Sequence, residues 1–487
     1  MSQAVRNLEP KALWNHFADL NEVPRPSKKE EKVIAFMKAF GEQLGLETIV
    51  DDAGNVIIRK PASPGMEDRT PIIMQAHLDM VHQKNNDTDF DFATQGIDMY
   101  VDGDWVKAKG TTLGADNGLG VASIMTILAS DDIPHPAMDA LFTIDEETGM
   151  TGAEALQGGM LNGKILLNLD TEDDDEITIG CAGGIDVTAK RSVPMEATPG
   201  GVQAYEVKVK GLSGGHSGMD IHLGRGNANK LMNRILWMAG RQLGLRLSHL
   251  DGGGLRNAIP RESTATVTVP GDQAAQFEGA LATWGDELKA EYKTTDPDLA
   301  VEYHKVDTPA QVTTLEFQQQ LFNAVYACPH GIYRMSPDIE DLVQTSNNIA
   351  RVLVAEGECT VMCLTRSAVD TEKMDLAQAI QANFEQMGAK VEFAGSYPGW
   401  TPNPDAAIVD LMHQTYKELF SEEPKVLACH AGLECGILGT NYPDVEMISF
   451  GPNIKGAHSP VERTQISSVQ KYWKLLLTTL ERIPKAG

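Results

Sequence analysis

The sequence has few of the features that mark a membrane protein or a disulfide-rich secreted protein. Its 487 residues include six cysteines, and no two of them have the CxxC spacing of a structural zinc site. No apolar run approaches the roughly 18 residues of a transmembrane helix. The opening segment MSQAVRNLEPKALWNHFADL also lacks the apolar core of a signal peptide. We therefore expect reduced thiols, a cytoplasmic location and no membrane partner.

Basic residues are in the minority. The chain has 41 Lys and Arg against 68 Asp and Glu, which gives a net charge of −27. Nucleic-acid binding needs a basic face, so we expect no nucleic-acid partner. The apolar content of 42% and charged content of 22% are typical of a globular protein. The chain is too long for one ordinary core, so two or three domains are expected.

The order of predicted helices and strands divides the chain into two domains. Helices and strands mix up to about residue 185, in the style of an α/β protein. Residues 186–398 then follow the order strand, helix, strand, strand, helix, strand, with a partial second copy. This order indicates an inserted α+β domain, and internal duplication is one explanation of it. The α/β style returns afterwards, so we expect one domain built from residues 1–185 and 399–487.

Three predicted strands of the first domain end in polar residues. One apolar run ends at His77, with Asp79 two residues further on; another ends just before Glu146 and Glu147; a third ends at Asp170. Buried strands of a parallel sheet look like such continuous apolar runs, and sites form outside their carboxyl ends. Taken singly, these acidic residues would be ordinary solvated side chains. Their joint occurrence at strand ends is what indicates a site.

Two further candidates lie in loops. Asp116 belongs to the glycine-rich turn TTLGADNGLG, and His458 follows the last predicted strand. Glycines let the backbone approach a ligand closely. A phosphate-binding loop is the alternative for the first turn, but no lysine follows and Asp116 would repel a phosphate. An ordinary loop histidine is the alternative for His458.

These side chains form a ligand set of nitrogen and oxygen atoms. Two histidines with three or four carboxylates suit zinc or a similar divalent ion. Five ligands with one shared carboxylate would fit two ions about 3.5–4 Å apart. Side chains of adjacent residues diverge at a strand end. One of Glu146 and Glu147 can therefore bind an ion while the other acts as general base on a water molecule.

Five motifs in fixed order carry a resemblance to a known family. They are HLD at 77–79, GADNG at 114–118, DEETG at 145–149, LNLD ending at Asp170 and HSPVE at 458–462. With them the chain resembles the dinuclear zinc exopeptidases related to carnosinase, and within that family the aminoacyl-histidine dipeptidase (peptidase D) group. The resemblance extends over essentially the whole chain. It implies an α/β fold with a zinc-exopeptidase-like mixed sheet, helices on both faces, and an inserted α+β lid.

The resemblance also implies a site for two divalent metal ions, zinc, with cobalt or manganese able to substitute. Its five ligands would be the shared Asp116, His77 and Asp170 on one ion, and Glu147 and His458 on the other. Glu146 would be the general base, and Asp79 would orient the His77 ring. Relatives that remove acyl groups or act as carboxypeptidases tend to carry Glu where Asp170 stands, so Asp there favours a di- or tripeptidase.

Three residues of the inserted domain match lid residues of that family. By this resemblance His216 would polarise the scissile carbonyl oxygen, Asn257 would contact substrate, and Arg366 would hold the substrate's C-terminal carboxylate through its bidentate fork. A doubled lid could supply His216 within its own chain, whereas single lids borrow it from a partner subunit. We expect hinges near 184–187 and 397–400.

The sequence thus predicts a cytoplasmic metallo-exopeptidase, a dipeptidase that hydrolyses Xaa-His and other short dipeptides, β-alanyl-histidine included. Its partners would be a small peptide substrate and a second copy of the chain in a homodimer. The alternatives are an N-acyl amino acid deacylase on the same scaffold and a non-catalytic metal-binding protein. The segment 430–436 has no predicted role.

Overall fold

The computed structural model describes residues 3–486, which divide into two compact units. The first unit holds the chain up to Gly180, Trp400–Ala428, and the chain from Leu433 onward. The second unit holds Cys181–Gly399 and Cys429–Gly432. Among the described residues, no helix is both long enough and apolar enough to cross a lipid bilayer.

The helices, in chain order, are α1 (Gln3–Arg6), α2 (Lys11–Asn21), α3 (Glu31–Gln43), α4 (Ala115–Ala129), α5 (Thr151–Ala155), α6 (Ala228–Gln242), α7 (Ala274–Glu291), α8 (Leu315–Ala327), α9 (Asp370–Glu385), α10 (Ala407–Phe420), α11 (Glu434–Asn441) and α12 (Ile466–Arg482). Short 3₁₀ turns lie at Ile221–Leu223 and Gly271–Gln273.

The strands are β1 (Glu47–Val50), β2 (Val56–Lys60), β3 (Ile72–His77), β4 (Met99–Asp102), β5 (Trp105–Ala108), β6 (Met138–Thr143), β7 (Ile165–Asn168), β8 (Glu176–Cys181), β9 (Gly183–Ser192), β10 (Met195–Ala197), β11 (Val202–Lys210), β12 (Arg246–Gly253), β13 (Ser263–Pro270), β14 (Ala300–Val306), β15 (Gln311–Thr313), β16 (Gly331–Met335), β17 (Val343–Ala355), β18 (Glu358–Ser367), β19 (Lys390–Tyr397), β20 (Lys425–Cys429), β21 (Glu446–Ser449), β22 (Ile454–Lys455) and β23 (Arg463–Gln465).

An eight-stranded mixed sheet forms the centre of the first unit, in the order β1-β2-β6-β3-β7-β21-β8-β20. Strand β3 runs parallel to both β6 and β7, and β21 runs parallel to β7. Every residue of β3, β6 and β7 is buried, which explains their continuous apolar runs. Strands β1 and β2 form an antiparallel pair, and the strand predicted to end at His77 is confirmed.

Two local features position loops of the first unit. Helix α4, which carries Asp116 in its first turn, is buried along almost its whole length and packs against β3 and α2. It is preceded by Gly114, whose φ of 69° lies in the left-handed region that favours glycine. The short antiparallel strands β22 and β23 pair Ile454 with Thr464, and the loop between them carries His458.

The second unit is built on a nine-stranded antiparallel sheet in the order β14-β11-β13-β12-β17-β18-β9-β19, with β16 also paired to β17. Its two halves have the same element order, β11-α6-β12-β13-α7-β14 and β9-α8-β17-β18-α9-β19. Strand order in one half is the reverse of the other, and the halves meet where β12 pairs with β17. The first strand of the second half, β9, precedes the entire first half in sequence.

Two strands of the second unit begin with residues that an apolar pattern does not reveal. Strand β9 was not predicted, because it opens with two glycines and pairs with the distant β18 and β19. Strand β17 begins at Val343 and continues through polar residues, which are buried and hydrogen-bonded. The Ser346 hydroxyl pairs with a histidine ring, and the Asn347 and Asn348 amides donate to backbone carbonyls.

Candidate metal centre and substrate groups

The carboxyl ends of three neighbouring strands meet at one edge of the first unit's sheet. His77 is the last residue of β3 and is paired with Thr143, the last residue of β6. Glu146 lies three residues beyond the end of β6 with Glu147 next to it, and Asp170 lies two residues beyond the end of the parallel strand β7. This is the edge at which open α/β sheets form their sites.

Asp116 lies between the two predicted histidine ligands. Its Oδ1 is 3.1 Å from Nε2 of His77, and its Oδ2 is 3.2 Å from Nε2 of His458. A second carboxylate stands beside each ring, with Oδ1 of Asp170 at 3.5 Å from His77 and Oε2 of Glu147 at 3.0 Å from His458. The five residues predicted as metal ligands are therefore adjacent, and Asp116 is central among them.

The side chains at this edge form overlapping groups whose ligand atoms lie within 4.8 Å of one another. The groups are His77–Asp116–Asp170, Asp116–Glu147–His458 and His77–Glu146–Glu147. The first two share only Asp116. One bridging carboxylate between two half-sites is an arrangement suited to two cations.

The charges of these residues fit cations as well. Four carboxylates stand against two imidazoles, and carboxylates buried together repel one another unless positive charge lies between them. Oε1 of Glu147 is buried and has no hydrogen-bond partner among the described residues. A buried oxygen without a partner is costly, and a cation would relieve that cost.

The neighbouring carboxylates favour the protonated form of both imidazoles. Hydrogen bonds with Asp116 and Glu147 raise the pKa of His458 to about 11. Burial acts to lower the pKa of His77, but the carboxylates of Asp170 and Asp116 outweigh it and raise that pKa well above its ordinary value. Metal binding at such residues would therefore release protons.

Asp79 and Glu146 flank His77. Oδ1 of the buried Asp79 lies 3.4 Å from Nδ1 of His77, and the Asp79 carbonyl oxygen lies 3.2 Å from it, so Nε2 is turned towards Asp116. The hydroxyl of Ser27 donates to Oδ2 of Asp79 at 2.8 Å. Burial raises the pKa of Glu146 well above its ordinary value.

The three predicted lid residues lie together within the second unit. The backbone N–H of Ser217 donates to the carbonyl of Asn257 at 2.8 Å, so the segments that carry His216 and Asn257 run side by side. A Cβ added to Gly218 would lie 3.2 Å from Cδ and Nε of Arg366, which places the turn after His216 against the Arg366 side chain.

The turn after His216 fixes the position of its ring proton. The backbone N–H groups of Gly218 and Met219 both donate to Nδ1 of His216, at 3.2 and 3.0 Å. An N–H can only donate, so Nδ1 is the acceptor and the ring proton lies on Nε2. His216 is thereby set as a hydrogen-bond donor through Nε2.

His430, for which the sequence predicts no role, belongs to the second unit together with its neighbours 429–432. Its Nε2 lies 2.7 Å from the hydroxyl of Ser346, and its carbonyl oxygen lies against Gly218. Burial, followed by the charges of nearby basic groups, lowers the pKa of His430 to about 3. It is therefore a neutral, fixed ring beside the His216 turn.

The family pattern described as Peptidase family M20/M25/M40 matches residues 73–482. The chain belongs to this family. Two similar proteins extend the match over the full length. This M20/M25/M40 peptidase is 42% identical to the cytosol non-specific dipeptidase of Escherichia coli (strain K12), over 99% of both chains. It is 43% identical to the crystal structure of the aminoacylhistidine dipeptidase from Vibrio alginolyticus, with a TM-score of 0.93 and 100% of both chains covered.

A more distant structure shares the fold alone. The crystal structure of aminopeptidase PepT from Bacillus cereus is 16% identical with a TM-score of 0.56, over 98% of this chain and 99% of that one. The family resemblance and the α/β fold class predicted from the sequence are confirmed, and the chain is an enzyme of the hydrolase class.

Sequence reasoning missed three groups that support the candidate metal centre of this peptidase, and the first is Glu462. Its carboxylate accepts the backbone N–H groups of Leu113, Gly114 and Ala115 at 2.6, 3.0 and 2.8 Å, and that of Asp116 at 3.4 Å. It thereby holds the turn that presents Asp116. Its presence in the motif HSPVE was the available signal, but the motif gave it no role.

A second missed residue is Arg25, which is buried and joins the two loops that carry candidate ligands. Its guanidinium donates to the carbonyls of Leu78 and Asp79, at 3.0 Å each, and to that of Gly114 at 2.6 Å. Burial lowers its pKa to about 10. Its position between Pro24 and Pro26 gave no sequence signal of this role.

The third group is centred on Glu434, the first residue of α11, which bonds to residues of β3 and β6. The carboxylate of the fully buried Glu434 accepts hydrogen bonds from Gln75 and Thr143, at 2.6 Å each, and Gln75 is bonded in turn to Asn168. Asn117 also donates to Asp170. Polar residues inside apolar strands are hydrogen-bonded when buried, as these are.

Proposed function

We propose that this M20/M25/M40 peptidase is a metal-dependent dipeptidase that hydrolyses Xaa-His and other short dipeptides, β-alanyl-histidine among them. Full-length identities of 42% and 43% to a non-specific dipeptidase and to an aminoacylhistidine dipeptidase support the dipeptidase function. The observation that carries the proposal is the position of Asp116, because one carboxylate oxygen faces His77 and the other faces His458.

Two divalent ions fit the ligand set. Asp116 would be shared, His77 and Asp170 would hold one ion, and Glu147 and His458 the other. We propose zinc, with cobalt or manganese as substitutes, since the donors are nitrogen and oxygen atoms without thiolate. When bound, the ions would polarise the scissile carbonyl and lower the pKa of the attacking water.

Glu146 would move the protons of the reaction. It stands in one group with His77 and Glu147, and burial raises its pKa. A carboxylate whose pKa is raised can take a proton from the attacking water and later return it to the leaving amine. Asp79 would keep the His77 ring in the orientation that turns Nε2 towards Asp116.

His216 and Asn257 would contact the substrate. His216 would stabilise the negative charge that develops on the carbonyl oxygen. Its support is the pair of backbone N–H groups on Nδ1, which leaves the ring proton on Nε2 as the donor. Asn257 is fixed beside it by the bond from Ser217 to its carbonyl.

Arg366 would bind the C-terminal carboxylate of the peptide. The residue is 5% exposed, and its Nε has no hydrogen-bond partner among the described residues. An unpaired buried guanidinium N–H is unfavourable, and a carboxylate would satisfy it. A fixed carboxylate site would limit the enzyme to very short peptides.

The test is release of free histidine from a panel of Xaa-His dipeptides, with acetyl-amino acids assayed in parallel. We expect hydrolysis of the dipeptides, loss of activity with a chelator, and recovery with zinc, cobalt or manganese. Hydrolysis of acetyl-amino acids alone would instead support a deacylase. Metal binding without hydrolysis of any of them would support a non-catalytic protein.

The proposed enzyme acts as a cytoplasmic homodimer. The cytosolic location named for the Escherichia coli relative supports the first part, and two-fold dimers are the commonest assembly among soluble homo-oligomers. Sedimentation of the metal-loaded protein tests the dimer, and a single monomeric species would exclude it.

A further inference from the structure

Arg366 belongs to a row of residues that crosses four strands of the second unit's sheet. Ser346 on β17 is paired with Arg366 on β18, Arg366 with Gly184 on β9, and Gly184 with Tyr397 on β19. Residues directly opposite one another on neighbouring strands present their side chains on the same face. Arg366 therefore has Ser346 on one side, and Tyr397 beyond Gly184 on the other.

Tyr397 reaches across Gly184 to the guanidinium. Its hydroxyl accepts a hydrogen bond from Nη1 of Arg366 at 2.7 Å. The absence of a side chain at Gly184 makes this reach possible, because a Cβ there would lie 2.7 Å from the Tyr397 ring and hydroxyl. The Tyr397 carbonyl is itself bound by the ammonium group of the buried Lys373 at 2.5 Å.

The turn after His216 lies against the Cδ and Nε atoms of the Arg366 side chain. A Cβ on Gly218 would lie 2.1 Å from the carbonyl oxygen of His430 and 3.2 Å from Cδ and Nε of Arg366. His430 is held in turn by the hydroxyl of Ser346 at 2.7 Å. This turn and the tyrosine hydroxyl thus fix one orientation of the guanidinium.

We propose that Tyr397 is a positioning residue that presets the guanidinium of Arg366 for the substrate carboxylate, and that Gly184 supplies the space this requires. The inference rests on the proposed function of Arg366. A long arginine side chain loses conformational freedom when it binds a ligand, and holding it in place beforehand reduces that loss. Tyr397 acts through Arg366 and makes no contact with the reacting atoms, so its effect falls on substrate binding.

The test compares hydrolysis of alanyl-histidine with that of alanyl-histidine amide, which lacks the terminal carboxylate. For Tyr397→Phe we expect KM for the free acid to rise about tenfold, ~1.4 kcal/mol of binding, while kcat stays within a factor of about two. The same variant should leave KM for the amide unchanged. Arg366→Ala gives the largest effect expected, because it should abolish the preference for the free acid over the amide.

Two matched variants control for general damage to the second unit. Tyr333→Phe removes the hydroxyl of an exposed tyrosine on β16 and should leave both peptides unaffected. Gly184→Ala should reproduce the loss seen with Tyr397→Phe, because its methyl group displaces the ring. Gly279→Ala is its control, since a Cβ there meets no atom within 4 Å.

The outcomes separate this inference from the function on which it rests. Wild-type protein that cleaves neither peptide would overturn the proposed function and the inference with it. Wild-type protein that prefers the acid, together with a Tyr397→Phe variant of unchanged KM, would overturn the inference alone. An equal rise in KM for acid and amide would also overturn it, because the effect would then be independent of the carboxylate.

Discussion

The carboxylate of Asp79 accepts the backbone N–H of Glu146, with 3.0 Å between Oδ1 and N. The N–H of Glu147 points to the other oxygen of the same carboxylate at 3.3 Å, and Nδ1 of His77 lies 3.4 Å from Oδ1. One side chain therefore fixes the ring of a proposed ligand and the backbone that carries both the proposed base and another ligand. The sequence predicts only that Asp79 orients the His77 ring. Its two bonds to backbone N–H groups were not predicted.

We predict that Asp79→Asn lowers metal affinity by about 10- to 100-fold, the usual effect of losing a partner behind a ligand. The amide can still accept at one oxygen, but its NH₂ group cannot accept the second backbone N–H. Competition with a chelator measures the affinity. Ser27→Ala is the matched control: it removes a hydroxyl bonded to the same carboxylate, so it should change affinity much less. Equal losses in both variants would contradict the prediction.

Glu146→Gln should separate metal binding from turnover. The amide keeps the shape of the side chain and the backbone bond to Asp79, but it cannot take up a proton. We expect kcat to fall by about 10²- to 10⁴-fold, the range for loss of a general base, with two ions still bound per chain. Steady-state kinetics and metal analysis of the same sample measure the two quantities.

The exposed Glu154 on α5 provides the control for this prediction, since Glu154→Gln removes a charge from the first turn of that helix and should leave kcat unchanged. A Glu146→Gln enzyme with a near-normal rate would exclude Glu146 as the base. A variant that loses its ions would instead place Glu146 among the ligands.

Much of the fold and the grouping of the candidate ligands could be predicted, because both leave local signals in the sequence. A buried parallel strand is a continuous apolar run, so the strand before His77 and the strand before Asp170 were recognisable. Parallel neighbours place their carboxyl ends at one edge, so polar residues at those ends were expected to meet. The structure does bring His77, Asp116 and Asp170 together.

The rest could not be predicted because it depends on contacts between distant segments. Glu462 binds the backbone N–H groups of a turn more than three hundred residues earlier, and such a contact imposes no periodicity on either segment. Strand β9 pairs with β18, although the whole first half of the second unit's sheet lies between these two strands in the sequence. Arg25 donates to backbone carbonyl groups, which every residue has, and to an asparagine oxygen. Such acceptors leave no recognisable pattern in the sequence.

Glu462→Gln should weaken both the fold of the first unit and its affinity for metal. The carboxylate now accepts N–H groups from three or four consecutive residues of the turn at Asp116, and the NH₂ group of glutamine would face some of those donors. A buried donor left without an acceptor costs about 1–3 kcal/mol. We expect a loss of that size in the free energy of unfolding of metal-free protein, measured by denaturant titration.

The control for this loss is Glu481→Gln, which changes an exposed carboxylate on α12 and should leave stability within about 0.5 kcal/mol of wild type. In metal-loaded protein, Glu462→Gln should also bind the ions more weakly, because the turn that presents Asp116 is no longer held. Unchanged stability and affinity would contradict the role of Glu462 as a support of the site.

His430 makes the stability of the second unit depend on pH. Burial, together with the charges of Arg366, His216 and His222, lowers its pKa to about 3, whereas an unfolded histidine titrates near 6.5. At pH values between these two, the unfolded protein therefore binds a proton at His430 and the folded protein does not. Its contribution to stability is complete above pH 6.5 and is lost as the pH falls from there towards 3, by about 1.4 kcal/mol per pH unit.

Replacement of His430 by glutamine should flatten this dependence, because the side chain no longer titrates. Urea unfolding of chelator-treated protein at several pH values between about 7.5 and 4.5 measures the slope, and chelation keeps metal release out of the comparison. Other groups titrate in this range, so the informative quantity is the difference between variant and wild type. His304→Gln, at an exposed position on β14, should keep the wild-type slope. Were His430→Gln to keep it too, the buried ring would not be the source of the acid sensitivity.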